Sequence, residues 1–168
     1  MPDLQRLRAD HAPAVLAFEQ QNRDYFAAHI SDRGDAFFEE FDDRFEALMA
    51  DQAAGACVFH VLLADDGSVL GRFNLFNIHD GVADLGYRVA EHASGQGLAT
   101  AAVEAVCRLA FARYGVHTLR AAVADANVAS QRVLAKAGFS PVGPVPPAEL
   151  GGKSGTRYQR DLRLSTQG

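Results

Sequence analysis

The sequence predicts an α+β domain, a mixed α/β arrangement in which a mostly antiparallel twisted sheet carries helices. Three observations predict it. The first third repeats apolar residues at three- and four-residue steps, the signature of helices with one buried face. The middle holds three short β-rich runs separated by tight turn signals, which implies an antiparallel meander. After residue 97 helix-period and strand-period segments alternate.

Residues Asp10 to Gln21 read as the first helix, with Asp10 as N-cap, Pro13 in the first turn, and Val15, Leu16 and Phe18 as the apolar face. A second helix is predicted from Asp35 to Ala53, where Phe37, Phe38, Phe41, Phe45, Leu48 and Met49 form a stripe among acidic residues. Such a stripe is core in the ordinary case. Cys57 to Ala64 is the first predicted strand and Asp65-Asp66-Gly67 its turn. Val69 to Ile78 is the hairpin partner, Asp80-Gly81 the next turn, and Ala83 to Val89 the third strand. A helix follows from Leu98 to Tyr114, stopped by Gly115. Thr118 to Ala124 is a strand, Asn127 to Ala137 a short helix stopped by Gly138, and Phe139 to Val142 a short strand. Pro141 to Gly155 reads as a Pro- and Gly-rich loop, and Thr156 to Leu164 alternates as a strand that closes the sheet.

Composition sets the bounds. With 168 residues the chain is read as one domain over residues 1–168. A chain of this size buries roughly 70% of its unfolded surface and needs no staples. Hydrophobic residues at 48% and charged residues at 22% are globular values. The net charge of −5 argues against a dedicated nucleic-acid binder. No apolar run reaches the roughly 18 residues that span a bilayer. The start shows no secretory pattern, so a cytoplasmic location is expected. Cys57 and Cys107 do not form a disulfide framework and read as small buried hydrophobes. The charge is uneven: residues 1–93 carry a net −10 and residues 94–168 a net +5. An acidic front half suits a cationic partner, and a basic rear a small polyanion.

The chemistry-bearing segment is Ser94-Gly95-Gln96-Gly97-Leu98-Ala99-Thr100, at a strand-to-helix corner. Glycines at alternate positions free the backbone for conformations closed to other residues. The helix that follows offers unpaired N–H groups and the positive end of its dipole, a site for phosphate. Read alone, such a corner also occurs for packing. A dinucleotide fingerprint fails because Thr100 stands where its third glycine belongs. Gly152-Lys153-Ser154 fails as a P-loop end, since Pro147 occupies the position of the first glycine. The six histidines show no metal-ligand spacing, so no metal site is expected.

About thirty residues after Gly97 comes Asn127-Val128-Ala129-Ser130, followed by Gly138-Phe139. Together with the corner, these segments resemble the GNAT superfamily of acetyl-CoA-dependent N-acetyltransferases. With Leu85-Gly86-Tyr87-Arg88-Val89, the chain is similar to the branch that acetylates ribosomal-protein N-termini. The resemblance runs from about Val58 to Gly143. It implies a GNAT-like sheet of six to seven strands with splayed central strands and about four helices.

It also implies roles. Backbone amides of Ser94, Gly95, Gln96, Gly97, Leu98, Ala99 and Thr100 bind the pyrophosphate of acetyl-CoA, the cosubstrate. The pantetheine arm runs along Tyr87 and Val89. Asn127 and Ser130 lie near the thiol, and Arg132 and Lys136 are placed to reach phosphate oxygens. The resemblance has Ser94 where Arg or Gln is usual, and Leu134 where many relatives place a Tyr that protonates the leaving thiolate. Ser130 is the proposed acid of the ribosomal branch. The expected reaction is direct attack of a neutral amine on the thioester. Asp84 through water, or His79, is the base candidate; Asp84 alternates with Gly86 and Arg88 and is equally placed to pair with a neighbour. Asn22, Arg23, Tyr25, Asn74 and Asn77 are candidate acceptor-site residues. The expected acceptor is a protein N-terminal α-amine. A small amine (polyamine, amino acid or aminated antibiotic) is the alternative, as is a CoA-binding module without turnover. Neither nucleic acid nor membrane is an expected partner, and a monomer or homodimer is expected.

Overall fold

A computed structural model describes residues 2–28 and 30–163. Seven strands form one sheet in the order β1-β2-β3-β4-β5-β7-β6. They are β1 (Asp3–Arg6), β2 (Val58–Leu63), β3 (Val69–His79), β4 (Val82–Val89), β5 (Thr118–Ala124), β6 (Ser140–Val145) and β7 (Gly155–Asp161). All neighbours are antiparallel except β4 and β5, which are parallel and joined by a helical crossover. The helices are α1 (Ala12–Gln21), α2 (Arg23–Ala27), α3 (Asp35–Glu39), α4 (Phe41–Ala54), α5 (Leu98–Arg113) and α6 (Val128–Lys136).

The predicted meander is present with its turns. Alternation along β3 and β4 decides what faces each layer. Arg72 and Asn74 pair across with Arg88 and Gly86, on the side where α1 contributes Glu19. Phe73 and Leu75 pair with Tyr87 and Leu85 and point to the other side, where Tyr87 reaches Ser130 of α6. Apolar burial is two-layered accordingly. Val15, Phe18, Phe26, Phe37, Phe41 and Phe45 supply the front helices, and Val103, Val106, Ala110 and Leu134 supply α5 and α6.

Several features differ from the expectations set by the sequence. Among the described residues there are six α-helices in place of about four. The helix predicted at Asp35–Ala53 is broken at Glu40 (φ −104°, ψ 20°), which turns α4 so that Phe41 and Phe45 both bury. The chain continues past Gln21 through Asn22 into α2, whose five residues are too few to show a helical period. Asp10 caps nothing, because it sits inside a short 3-10 turn, Ala9–His11, ahead of α1; Pro13 does occupy the first turn. The edge strand β1, four residues long, was too short to give a period. Finally, the strand expected at Phe139 to Val142 is present as β6 and runs on to Val145 through Pro144, in the stretch expected as loop. An edge strand tolerates proline because one side of it has no ladder to lose. The last predicted strand is observed as β7; its predicted end, Leu164, lies outside the described residues. Cys57 and Cys107 are both free thiols, and burial pushes Cys107 up to about 11. Among the described residues, no helix is long and apolar enough to cross a membrane.

Candidate active site

The parallel pair β4–β5 is the structural key. Its register holds for only three pairs, Val82–Thr118, Ala83–Leu119 and Asp84–Arg120. Beyond Asp84 the strands part, while β5 stays fully paired to β7 and β4 to β3 as far as Val89. A gap lined by Leu85, Gly86, Tyr87, Ala121 and Val123 opens between them.

The gap leads into a cleft of about 550 Å³, within the range of small-molecule sites. One wall is the corner before α5. Gly95 (φ 74°) and Gly97 (φ 76°) both take the left-handed conformation, and a Cβ at either would meet nothing within 4 Å. The requirement for glycine here is therefore conformational, not spatial. Gly97 is the N-cap residue of α5 and no side chain caps it, so the first-turn amides have no intrahelical partner. Gly95, Gly97, Ala99 and Thr100 line the cleft, together with Tyr87, Val89, Asn127, Ser130, Arg132 and Lys136. These predicted residues are thus brought together from three parts of the chain, β4, the corner before α5, and α6. Unpartnered amides, a positive helix end and two cationic side chains fit a CoA-type diphosphate.

Several side chains at the corner and on α6 are engaged within the protein itself. Ser94 donates from Oγ to the Ala90 carbonyl (3.1 Å) and meets the Tyr25 hydroxyl at 3.0 Å. Gln96 turns its amide back to the His92 carbonyl, and Leu98 packs against the core. Asn127 accepts from the Ser130 amide (3.2 Å) and is the N-cap of α6, which leaves its amide nitrogen for a ligand. Leu134 is fully buried in the core.

Tyr87 is more than a strand position. Its hydroxyl lies 2.8 Å from Ser130 Oγ, and its ring stacks on Phe73 at 5.6 Å. Burial pushes the phenol up to about 12 against the hydrogen bond with Ser130, so it stays neutral and a donor. The pair spans the mouth of the gap from β4 to α6. A strand tyrosine gave no sign in the sequence that its phenol would meet Ser130.

Asp84 is not brought to the gap. It accepts from Asn77 Nδ2 (3.0 Å) and faces Arg120 across the last β4–β5 pair at 3.3 Å, too poorly aligned to be a hydrogen bond. It lines neither the cleft nor the hollows beside the gap, because the strands separate only beyond it. His79 is exposed at the β3–β4 turn, next to Asp80. Among the acceptor-site candidates, Tyr25 lines the cleft and Asn74 a hollow beside it. Asn22 is buried between the Phe18 carbonyl and the Glu91 amide, and Arg23 is held by Asp32 and Asp35.

Sequence reasoning missed Glu19. Its carboxylate, 1% exposed, takes four contacts of 3.0–3.1 Å from Arg33, Arg72 and Arg88. Burial pushes the carboxyl up, but the hydrogen bond from Arg33 and the charges of Arg88, Arg33 and Arg72 outweigh it and hold the group below its usual range. Burial lowers Arg88 to about 10 against the pull of Glu19. A signal existed: Glu19 lies four residues after Val15, on the apolar face of its helix.

Comparison with known proteins agrees with this geometry. A family model described as an acetyltransferase (GNAT) domain matches residues 3–140. The probable N-acetyltransferase YjcK of Bacillus subtilis is 30% identical over 142 residues, covering 79% of this chain and 77% of that protein. Ribosomal-protein-S5-alanine acetyltransferase from Vibrio fischeri has the same fold, with a TM-score of 0.87 at 20% identity, covering 95% of this chain and 92% of that one. Spermidine N-acetyltransferase from Vibrio cholerae, solved with CoA and spermine, has a TM-score of 0.80 at 15% identity and 96% coverage of both chains.

Proposed function

The chain belongs to the GNAT family of acetyltransferases, enzymes that use acetyl-CoA, and we propose that it acetylates a primary amine by direct attack, with a protein N-terminal α-amine as the acceptor. The observation that carries this is the cleft itself. It runs from the Gly95–Gly97 corner to the Tyr87–Ser130 contact, where β4 and β5 separate.

When bound, acetyl-CoA supplies an activated acetyl group and a thiolate leaving group. The residues of the chain do the rest. Amides from Gly95 to Thr100 hold the diphosphate, with Arg132 and Lys136 near the phosphates. Val89 and Tyr87 offer unpaired strand edge to the pantetheine amides, and the Asn127 amide nitrogen faces the same channel. Ser130 and Tyr87 present hydroxyl donors to the departing sulfur. A thiol ionises near 8.5, so it leaves with little proton transfer and a hydrogen bond suffices. The C–S bond breaks as the C–N bond forms, and the amine's proton passes to solvent.

An α-amine supports the choice of acceptor. Its reference pKa near 8, against about 10.4 for Lys, leaves a usable neutral fraction without a base. That matters here, since Asp84 is engaged by Asn77 and faces Arg120. The ribosomal-protein-S5-alanine acetylation named for the Vibrio fischeri structural neighbour supports the same reading. The test is thiol release from acetyl-CoA with a peptide bearing a free N-terminus and the same peptide blocked at its N-terminus but retaining a lysine. Acetylation of the first alone is expected. Acetylation of lysine alone, or of neither, overturns the proposal.

A further inference from the structure

Beside the gap, on the α1 side of the sheet, lies a hollow of about 250 Å³ lined by Ile30, Arg33, Arg72, Asn74, Gly86, Tyr87 and Arg88. It adjoins the cleft through Tyr87 and Arg88, so a group seated in it sits next to the point where an acetyl group would emerge. Its charge is out of balance. Three guanidiniums line it, and the carboxylate among them is Glu19, both of whose oxygens are already shared. The acids nearby in sequence do not make up the difference. Asp32 and Asp35 are held by Arg23, and Glu149, which lines the neighbouring gap, is held by Arg157 at 2.8 Å. Arg72 is 5% exposed and Arg88 17%, so water screens this excess poorly. Arg88 is fixed over the Phe26 ring and Arg33 over the Phe37 ring, at 4.7 and 4.8 Å, which preorganises the guanidiniums. In the same hollow Asn74 Oδ1 is buried and has no hydrogen-bond partner among the described residues. A buried acceptor oxygen left unmatched calls for a donor.

We infer that the acceptor of this enzyme carries a carboxylate close to its reacting amine, with the carboxylate seated on Arg33, Arg72 and Arg88 and the amine N–H on Asn74 Oδ1. The inference rests on the acetyl-transfer reading and narrows its acceptor. It reverses what the net −10 of residues 1–93 implies, because the hollow is locally cationic although the half-chain around it is acidic. A polyamine meets repulsion here. A free amino acid supplies the required pair in its α-carboxylate, and a protein N-terminus supplies it through an acidic residue at its first positions.

The test uses pairs that differ by one charge. The two sources are alanine against alaninamide, and peptides beginning Ser-Glu against Ser-Gln, with spermidine as the cationic arm. We expect kcat/KM for the acid of at least one pair to exceed that of its amide by about tenfold or more, the scale of a hydrogen bond to a charged partner. The pair that shows it identifies the source. Equal rates within both pairs, or spermidine as the best acceptor, overturn the inference. Arg33→Gln should raise KM for the preferred acid toward the value for its amide, while Arg33→Lys restores part of the preference. CoA affinity measured by calorimetry reports that each variant is folded. A preference that survives Arg33→Gln intact overturns the seat assigned here. A readout without turnover separates this claim from the one it rests on. The CoA-saturated protein is titrated with the acetylated acid and the acetylated amide of each pair, and tighter binding of an acid is expected. Anion preference without any amine acetylated leaves the seat standing and removes the transfer reading. Acetylation with no acid preference does the reverse.

Discussion

Replacing Glu19 by Gln removes one charge and almost no volume, and tests how the front helices are held to the sheet. In the native fold this carboxylate neutralises Arg72 on β3 and Arg88 on β4, and also binds Arg33, through contacts of 3.0–3.1 Å. The amide keeps one acceptor oxygen and turns an NH₂ group toward guanidiniums. Arg33, with 31% of its side chain exposed, can swing into water. Arg72, at 5%, cannot, and it is left buried beside Arg88 without a counter-charge. Breaking a buried ion pair from one side costs about 3–5 kcal/mol. For a chain of this length that lowers the melting temperature by roughly 10 °C. Urea denaturation at pH 7.5 measures it. The sign with pH is also set. The carboxyl is held below its usual value in the fold, so its contribution is complete above pH 4.5 and is lost as pH falls through the folded value. The gap between wild type and Glu19→Gln therefore narrows at acid pH. A loss below about 1 kcal/mol at pH 7.5, or a gap that widens on acidification, refutes the reasoning.

Two further outcomes are expected. Tyr87→Phe keeps the ring on Phe73 but removes the hydroxyl from Ser130; kcat should fall about tenfold or more with KM for acetyl-CoA little changed. Ser130→Ala should do the same, and the double variant should be no worse than either, as for groups acting as one unit. His60 is buried against Tyr114 and the Phe73 carbonyl; burial, opposed by that carbonyl and helped by Arg6, lowers it from 6.5 to about 4. Its native form binds fewer protons than the unfolded one, so its contribution is whole above pH 6.5 and declines toward pH 4, by up to roughly 3 kcal/mol. Urea midpoints from pH 7.5 to 5 should fall, and His60→Gln should flatten that fall.

What the sequence made legible was local. Gly95 and Gly97 announce a left-handed corner because φ near 75° selects glycine, and the turn after Ala64 announces the hairpin. Asn127 and Ser130 stand three residues apart, so the capping contact between them is built into their spacing. The rest depends on contacts between distant residues. Glu19 meets Arg33, Arg72 and Arg88 across separations of 14, 53 and 69 residues; its place four residues after Val15 marks a buried face, but not the three arginines that meet it there. Asp84 shared a face with Arg88 as predicted, but the strands part only beyond it, so it stays with Arg120. Pro144 looked like loop because edge position is a property of the sheet, not of the segment.

The central claim is that amides at the Gly95–Gly97 corner hold the diphosphate of the cosubstrate. The most direct measurement is calorimetric titration with CoA and with pantetheine, which has no diphosphate, for the wild type and Gly97→Ala. The substituted residue meets no atom within 4 Å, so its effect is confined to the cost of φ 76° for a side chain, about 1–2 kcal/mol, and to the aim of the corner amides. CoA should bind about a hundredfold tighter than pantetheine, as two charge-assisted hydrogen bonds give. Gly97→Ala should lose about tenfold for CoA alone. Equal affinity for the two ligands, or CoA binding indifferent to Gly97→Ala, contradicts the central claim.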